Sequence, residues 1–65
     1  MPYVNVRVTP GITTEQSKQV VEEITHSLVR ILNKKPEQTH IVIDEVDQDR
    51  WGFSGMLVSE FRKIE

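Results

Sequence analysis

The eight residues Thr39-His40-Ile41-Val42-Ile43-Asp44-Glu45-Val46 decide the fold of this chain. Ile41, Val42, Ile43 and Val46 form a short, largely β-branched run with apolar side chains pointing both ways, which predicts a strand buried on both faces. Upstream, residues 2–9 read Pro-Tyr-Val-Asn-Val-Arg-Val-Thr. Val4, Val6 and Val8 fall on one face and Tyr3, Asn5 and Arg7 on the other, the alternation of another strand. Pro2 is compatible with that strand because it comes first, where a missing backbone donor does not interrupt a ladder.

The segment between the strands has the marks of a helix. Pro10-Gly11 ends the alternation, and Thr13 followed by Gln16 has the form of a capping box. Val20, Val21, Ile24, Leu28, Ile31 and Leu32 then recur at spacings of three and four, one apolar stripe on a helix. Asn33 is the expected C-terminal cap and Pro36 the stop. A connection that holds a whole helix joins parallel strands through a right-handed crossover, so the expected unit is βαβ. One helix covers only one face of a two-stranded sheet, and the other face is expected to meet a second subunit. Beyond Asp47 the chain is rich in turn formers up to Gly55. Trp51 and Phe53 predict a hairpin or packed loop there, with a short strand or helical turn from Met56 to Arg62.

Composition points the same way. Sixty-five residues are expected to form one domain, and a chain of this length buries only about 60% of the surface its unfolded form exposes. The absence of cysteine removes disulfides and thiolate metal sites, leaving oligomerisation as the expected source of stability. Ten acidic residues against eight Lys and Arg lack the basic footprint of a nucleic-acid binder. No apolar run approaches the roughly 20 residues that span a bilayer, and the N-terminus lacks signal-peptide features. A cytoplasmic protein without nucleic-acid or membrane partners is expected.

Most catalytic patterns are missing. There is no cysteine, no Gly-rich phosphate loop and no histidine pair at metal-ligand spacing. Asp44, Glu45, Asp47 and Asp49 are separated by strand alternation and a turn, so no metal site is expected from them. His26 reads as a solvated helix residue, whereas His40 opens the second strand. Pro2 has two readings. It begins the strand, or, once the initiator methionine is removed, it places a secondary amine at the strand mouth. An ordinary α-amino group has a pKa of about 8, so about a tenth is free base at neutral pH. Desolvation and nearby cations lower that value, and a drop of one unit, about 1.4 kcal/mol, makes half of it available as a general base.

The order of these features resembles the 4-oxalocrotonate tautomerases, the short-chain branch of the tautomerase superfamily. The resemblance rests on Met1-Pro2 leading into a strand, Gly11 before a capped helix with Glu15-Gln16, and the helix end Leu32-Asn33. It continues through Ile41-Val42-Ile43-Asp44-Glu45-Val46 and Trp51-Gly52-Phe53-Ser54-Gly55, covering nearly the whole chain. It implies an α/β (α+β) tautomerase/MIF-like fold over residues 1–65: a βαβ protomer with two parallel strands, one long helix and a C-terminal hairpin or short strand. It implies homo-oligomers, with dimers sharing a four-stranded sheet and commonly three dimers closing into a hexamer.

The implied chemistry is keto-enol tautomerisation of a small unsaturated 2-hydroxy or 2-oxo acid such as 2-hydroxymuconate, without a cofactor. Pro2 would take a proton from the enol hydroxyl and return it to carbon, while cations hold the carboxylate and polarise the carbonyl. Two family arginines are changed here: the position after Gly11 is Ile12, and the one early in the second strand is His40. Trp51 falls where the family has an active-site aromatic. Arg50, beside Trp51, and Arg7 on the first strand are the cations that could substitute across a subunit interface. The resemblance therefore gives Pro2 as catalytic and His40 and Trp51 as substrate-binding, and Arg50, the cation beside Trp51, is added to the expected substrate-binding set. Two other readings remain at this point. One is a hydratase or dehalogenase of small unsaturated acids, with Glu45 activating water. The other is a non-catalytic oligomer or a subunit of a hetero-oligomer that kept the fold without the arginines.

Overall fold

The computed structural model describes residues 1–63. Its elements follow the order β1 (Tyr3–Val8), α1 (Thr14–Leu32), β2 (His40–Glu45), β3 (Gly52–Phe53), β4 (Met56–Leu57) and α2 (Val58–Lys63), with one-turn 3-10 helices at Pro36–Gln38 and Gln48–Arg50. Strands β1 and β2 pair in parallel, Tyr3 beside His40, Asn5 beside Val42 and Arg7 beside Asp44. This is the expected βαβ unit, with β3 and β4 adding an antiparallel hairpin.

The helix ends are set locally. Thr13 Oγ1 accepts from the Gln16 N–H at 3.1 Å and Gln16 Oε1 accepts from the Thr13 N–H at 2.9 Å, the complete capping box. At the other end Asn33 adopts the left-handed conformation (φ 55°, ψ 38°), which turns the chain so that the Lys34 N–H reaches Leu28 O at 3.3 Å. In the C-terminal hairpin, Ser54 (φ 53°) and Gly55 (φ 75°) link Phe53 to its partner Met56. Two consecutive positive φ angles are the geometry that matches a two-residue turn to the twist of its strands.

The packing leaves the protomer incomplete. Among the described residues none is buried. The accessible surface is 5212 Å², whereas a compact chain of 7.6 kDa exposes about 4,300 Å². The radius of gyration is 15.2 Å, against about 11 Å for a compact domain of this length. Val4, Val6, Val8, Ile41 and Ile43 are half-buried, the side of the sheet that α1 covers. On the other side Tyr3 is 64% exposed and Val42 is also open.

The apolar stripe of α1 is longer than the sheet can cover. Nineteen helical residues extend about 28 Å, while six-residue strands extend about 20 Å. The last turn therefore overhangs, and Ile31 and Leu32 are exposed. The crossover brings that turn to the end of the sheet where β1 and β2 begin, so it shares that end with the exposed Met1 and Tyr3. At the opposite end Phe53 and Phe61 form an edge-to-face pair, centroids 5.1 Å apart, and both remain exposed. The molecule thus carries uncovered apolar surface at both ends.

Candidate active site

The predicted site residues divide between the two ends of the sheet. At the starting end, Pro2 precedes β1 and its carbonyl accepts the His40 N–H at 3.0 Å. That bond, with the pairing of Tyr3 and His40, places Pro2 and His40 side by side. His40 is exposed and Pro2 half-buried.

At the far end, Arg7, Val46, Arg50, Trp51 and Gly52 line an open cleft of about 210 Å³. Its walls are positioned by local bonds. Asp47 Oδ1 accepts from the Asp49 N–H at 2.9 Å and Asp47 O accepts from the Arg50 N–H at 2.9 Å, which winds the 3-10 turn that carries Arg50. Arg50 Nη1 donates to Asp49 O at 3.0 Å. Trp51 O accepts from the Val58 N–H at 2.8 Å, tying the Trp51 backbone to the first turn of α2. Trp51 and Arg50 thus share one cleft, apart from Pro2 and His40.

Arg7 enters this cleft from the sheet. Its Nε donates to Asn5 Oδ1 at 3.0 Å and lies 3.8 Å from Asp44 Oδ2. Asn5 Nδ2 donates to Asp44 Oδ2 at 2.9 Å and to Val42 O at 3.1 Å. From the sequence alone Arg7 is no more than an available cation. Its place in the cleft depends on strand register, which sets Asp44 beside it, and on the return of the chain at Arg50.

The acidic residues of the second strand do separate as expected. Asp44 faces Asn5 and Arg7 on the open side, whereas Glu45 Oε2 accepts the Gly11 N–H at 3.0 Å and holds the loop that precedes α1. Ile12, in that loop, is half-buried, and His26 lies exposed on α1.

Pro2 and Arg7 are five residues apart on one strand, about 16 Å at 3.3 Å per residue. The cleft lies beyond Arg7, so one protomer does not bring its Pro2 to its own Trp51. The ladder also leaves an edge free. The His40 N–H donates to Pro2 O and the Val46 N–H to Val8 O, so the even-numbered residues of β1 turn their backbone groups toward β2. Tyr3, Asn5 and Arg7 turn theirs outward, to an edge with no strand beside it among the described residues.

A βαβ protomer of this length, with a proline opening its first strand and an arginine- and tryptophan-lined cleft at the far end, defines a class that known proteins share. Residues 2–60 match the family model Tautomerase, described as tautomerase enzyme. A probable tautomerase of Dickeya dadantii is 47% identical over 64 residues, spanning 97% of this chain and 96% of its own. The crystal structure of DmpI from Helicobacter pylori superposes with a TM-score of 0.90 at 34% identity, over 95% of this chain and 97% of that one. A 4-oxalocrotonate tautomerase isozyme structure from Methylibium petroleiphilum gives a TM-score of 0.93 at 26% identity, over 98% and 100% of the two chains. The chain belongs to the tautomerase superfamily, in its short-chain 4-oxalocrotonate tautomerase branch. It is accordingly an isomerase of the keto-enol type. No helix among the described residues is long and apolar enough to cross a membrane.

Proposed function

We propose that Pro2, freed by removal of Met1, is the general base of a cofactor-independent tautomerase whose substrate is a small unsaturated 2-hydroxy or 2-oxo acid. The observation that carries this reading is the division of the site: Pro2 and His40 at one end of the sheet, Arg50 and Trp51 at the other. A second copy reconciles them. Two β1 strands paired antiparallel along their free edges, on a two-fold axis through Asn5, set Tyr3 opposite Arg7 and Pro2 opposite Val8. Each Pro2 then lies beside the other copy's cleft, and opposite strand residues turn their side chains to the same face.

The same pairing brings the exposed Met1, Tyr3, Ile31 and Leu32 of one protomer toward the exposed Phe53 and Phe61 of the other. Covering them removes water from around the amine, and two arginines add positive charge beside it. Both effects favour the neutral base. In the reaction the Pro2 nitrogen takes the enol hydroxyl proton and delivers it to a carbon of the conjugated chain. The arginine-lined cleft, Arg50 included, holds the carboxylate, Trp51 lies along the unsaturated chain, and His40 donates a hydrogen bond to the carbonyl oxygen. The dimer is the smallest assembly this requires, and a hexamer of three dimers would cover more of the remaining surface.

The test is ultraviolet-monitored ketonisation of 2-hydroxymuconate and phenylenolpyruvate by mass-verified Met-free protein, beside Pro2→Ala and protein that retains Met1. General-base catalysis contributes about 10²- to 10⁴-fold, and both controls are expected to lose turnover on that scale. Turnover that persists in the Met1-retaining protein would rule out Pro2 as the base.

A further inference from the structure

We propose that Arg7 is the principal carboxylate anchor of the cleft, held in a binding-ready orientation by Asn5 and Asp44. The inference rests on taking this cleft as the substrate-binding half of the site, and it adds the residue that selects an anionic substrate. Three observations support it. The lining residues are Arg7, Val46, Arg50, Trp51 and Gly52, so two guanidinium groups share the cleft with an indole, and among the described residues no carboxylate lines it.

The second observation is how Arg7 is tied. Its Nε donates to Asn5 Oδ1 at 3.0 Å, and Asn5 in turn donates to Asp44 Oδ2 at 2.9 Å and Val42 O at 3.1 Å. Among the described residues the guanidinium is engaged through Nε. Among the described residues no hydrogen bond is made by either Nη of Arg7, and its side chain is 67% exposed. A guanidinium fixed at Nε and open at both Nη groups offers two parallel donors to a carboxylate, with part of the ordering cost already met.

The third observation concerns Asp44. At 3.8 Å from Nε and half-exposed, it is too distant and too hydrated to act as a strong competing partner for the guanidinium. It orients Arg7 through Asn5 while leaving the charge available to a ligand. Arg50 differs, since its Nη1 already donates to Asp49 O, and Arg7 is the better-presented fork. The ligand this arrangement selects is a carboxylate joined to an unsaturated chain: the carboxylate lies on Arg7 and the chain lies against Trp51. Asn5 and Asp44 are positioning residues.

Trp51 is the single tryptophan of the chain, so its fluorescence reports occupancy of the cleft without any turnover. The experiment titrates crotonate and its neutral isostere crotonamide into the Met-free oligomer, exciting at the red edge of the indole band, for the wild type, Arg7→Gln, Arg7→Lys and Asp44→Asn. A charge-assisted, two-donor contact predicts that the preference for crotonate over crotonamide is about tenfold or more in the wild type. That preference should vanish in Arg7→Gln, while the crotonamide affinity of the same variant stays unchanged. Arg7→Lys is expected to lie between, keeping the charge without the fork, and it carries the test if Arg7→Gln fails to assemble. Asp44→Asn keeps an oxygen acceptor for Asn5 and removes a negative charge beside Arg7, so it should retain or strengthen the crotonate preference and leave crotonamide untouched. An unchanged crotonate preference in Arg7→Gln, or in Arg7→Lys should that be the variant that folds, would overturn the proposal, as would an equal loss for both ligands. Because binding is read apart from catalysis, failure of Pro2 as the base would leave these titrations unaffected.

Discussion

Dilution should unfold this protein. The protomer has no buried residue among those described and exposes 5212 Å², roughly 900 Å² above a compact chain of its mass. That excess is close to the roughly 800 Å² per partner of a standard interface. Folding and association are then one transition, and stability depends on protomer concentration. For a dimer unfolding directly to chains, a hundredfold dilution removes about 2.7 kcal/mol. With a urea slope of about 2 kcal/mol/M, the midpoint falls by roughly 1.3 M. The assay is far-ultraviolet circular dichroism through a urea series at two protein concentrations a hundredfold apart. Coincident midpoints would mean that the βαβ unit folds alone, and the argument from missing burial would be wrong.

Two further outcomes follow from local contacts. Thr13→Ala removes the Oγ1 acceptor of the capping box and should cost about 1 kcal/mol per protomer in urea denaturation at fixed concentration; Thr14→Ala, one residue later, should cost little, and equal losses would contradict the cap assignment. Glu45→Ala releases the Gly11 N–H held at 3.0 Å, and amide exchange at Gly11 should accelerate about tenfold. Glu45→Gln keeps an acceptor there and should retain both the protection and the tautomerase turnover, whereas lost turnover in that variant would give Glu45 a chemical role.

The fold could be read from the sequence because its signals are local. The capping box of Thr13 and Gln16, the αL cap at Asn33, the alternation of residues 2–9 and the β-branched run at Ile41–Ile43 each depend on neighbours a few positions away. The crossover then left parallel pairing as the natural topology. Less was visible where long-range register decides the outcome. The burial expected on both faces of β2 is half present in one protomer: Ile41 and Ile43 meet α1, while Val42 stays open. Periodicity gives the facing of a side chain but says nothing of what covers it. The site divided along the same line. Trp51 and Arg50 are adjacent in sequence and arrive together, whereas Arg7 joins them only through the pairing of β1 with β2. That Pro2 and the cleft stand at opposite ends was not legible, because it depends on which end of a strand each loop returns to.

The most direct test of the account is subunit mixing. Met-free Pro2→Ala protein, with an intact cleft, is unfolded and refolded together with an equal amount of an Arg50→Ala, Trp51→Ala double variant that keeps Pro2. If each site takes its proline from one subunit and its cleft from another, random reassortment leaves about one quarter of the sites intact. Two nearly inactive preparations should then recover about a quarter of wild-type turnover on refolding. Activity that stays at the level of the separate variants would place Pro2 and the cleft in the same subunit, or remove one of them from the reaction, and would contradict the account.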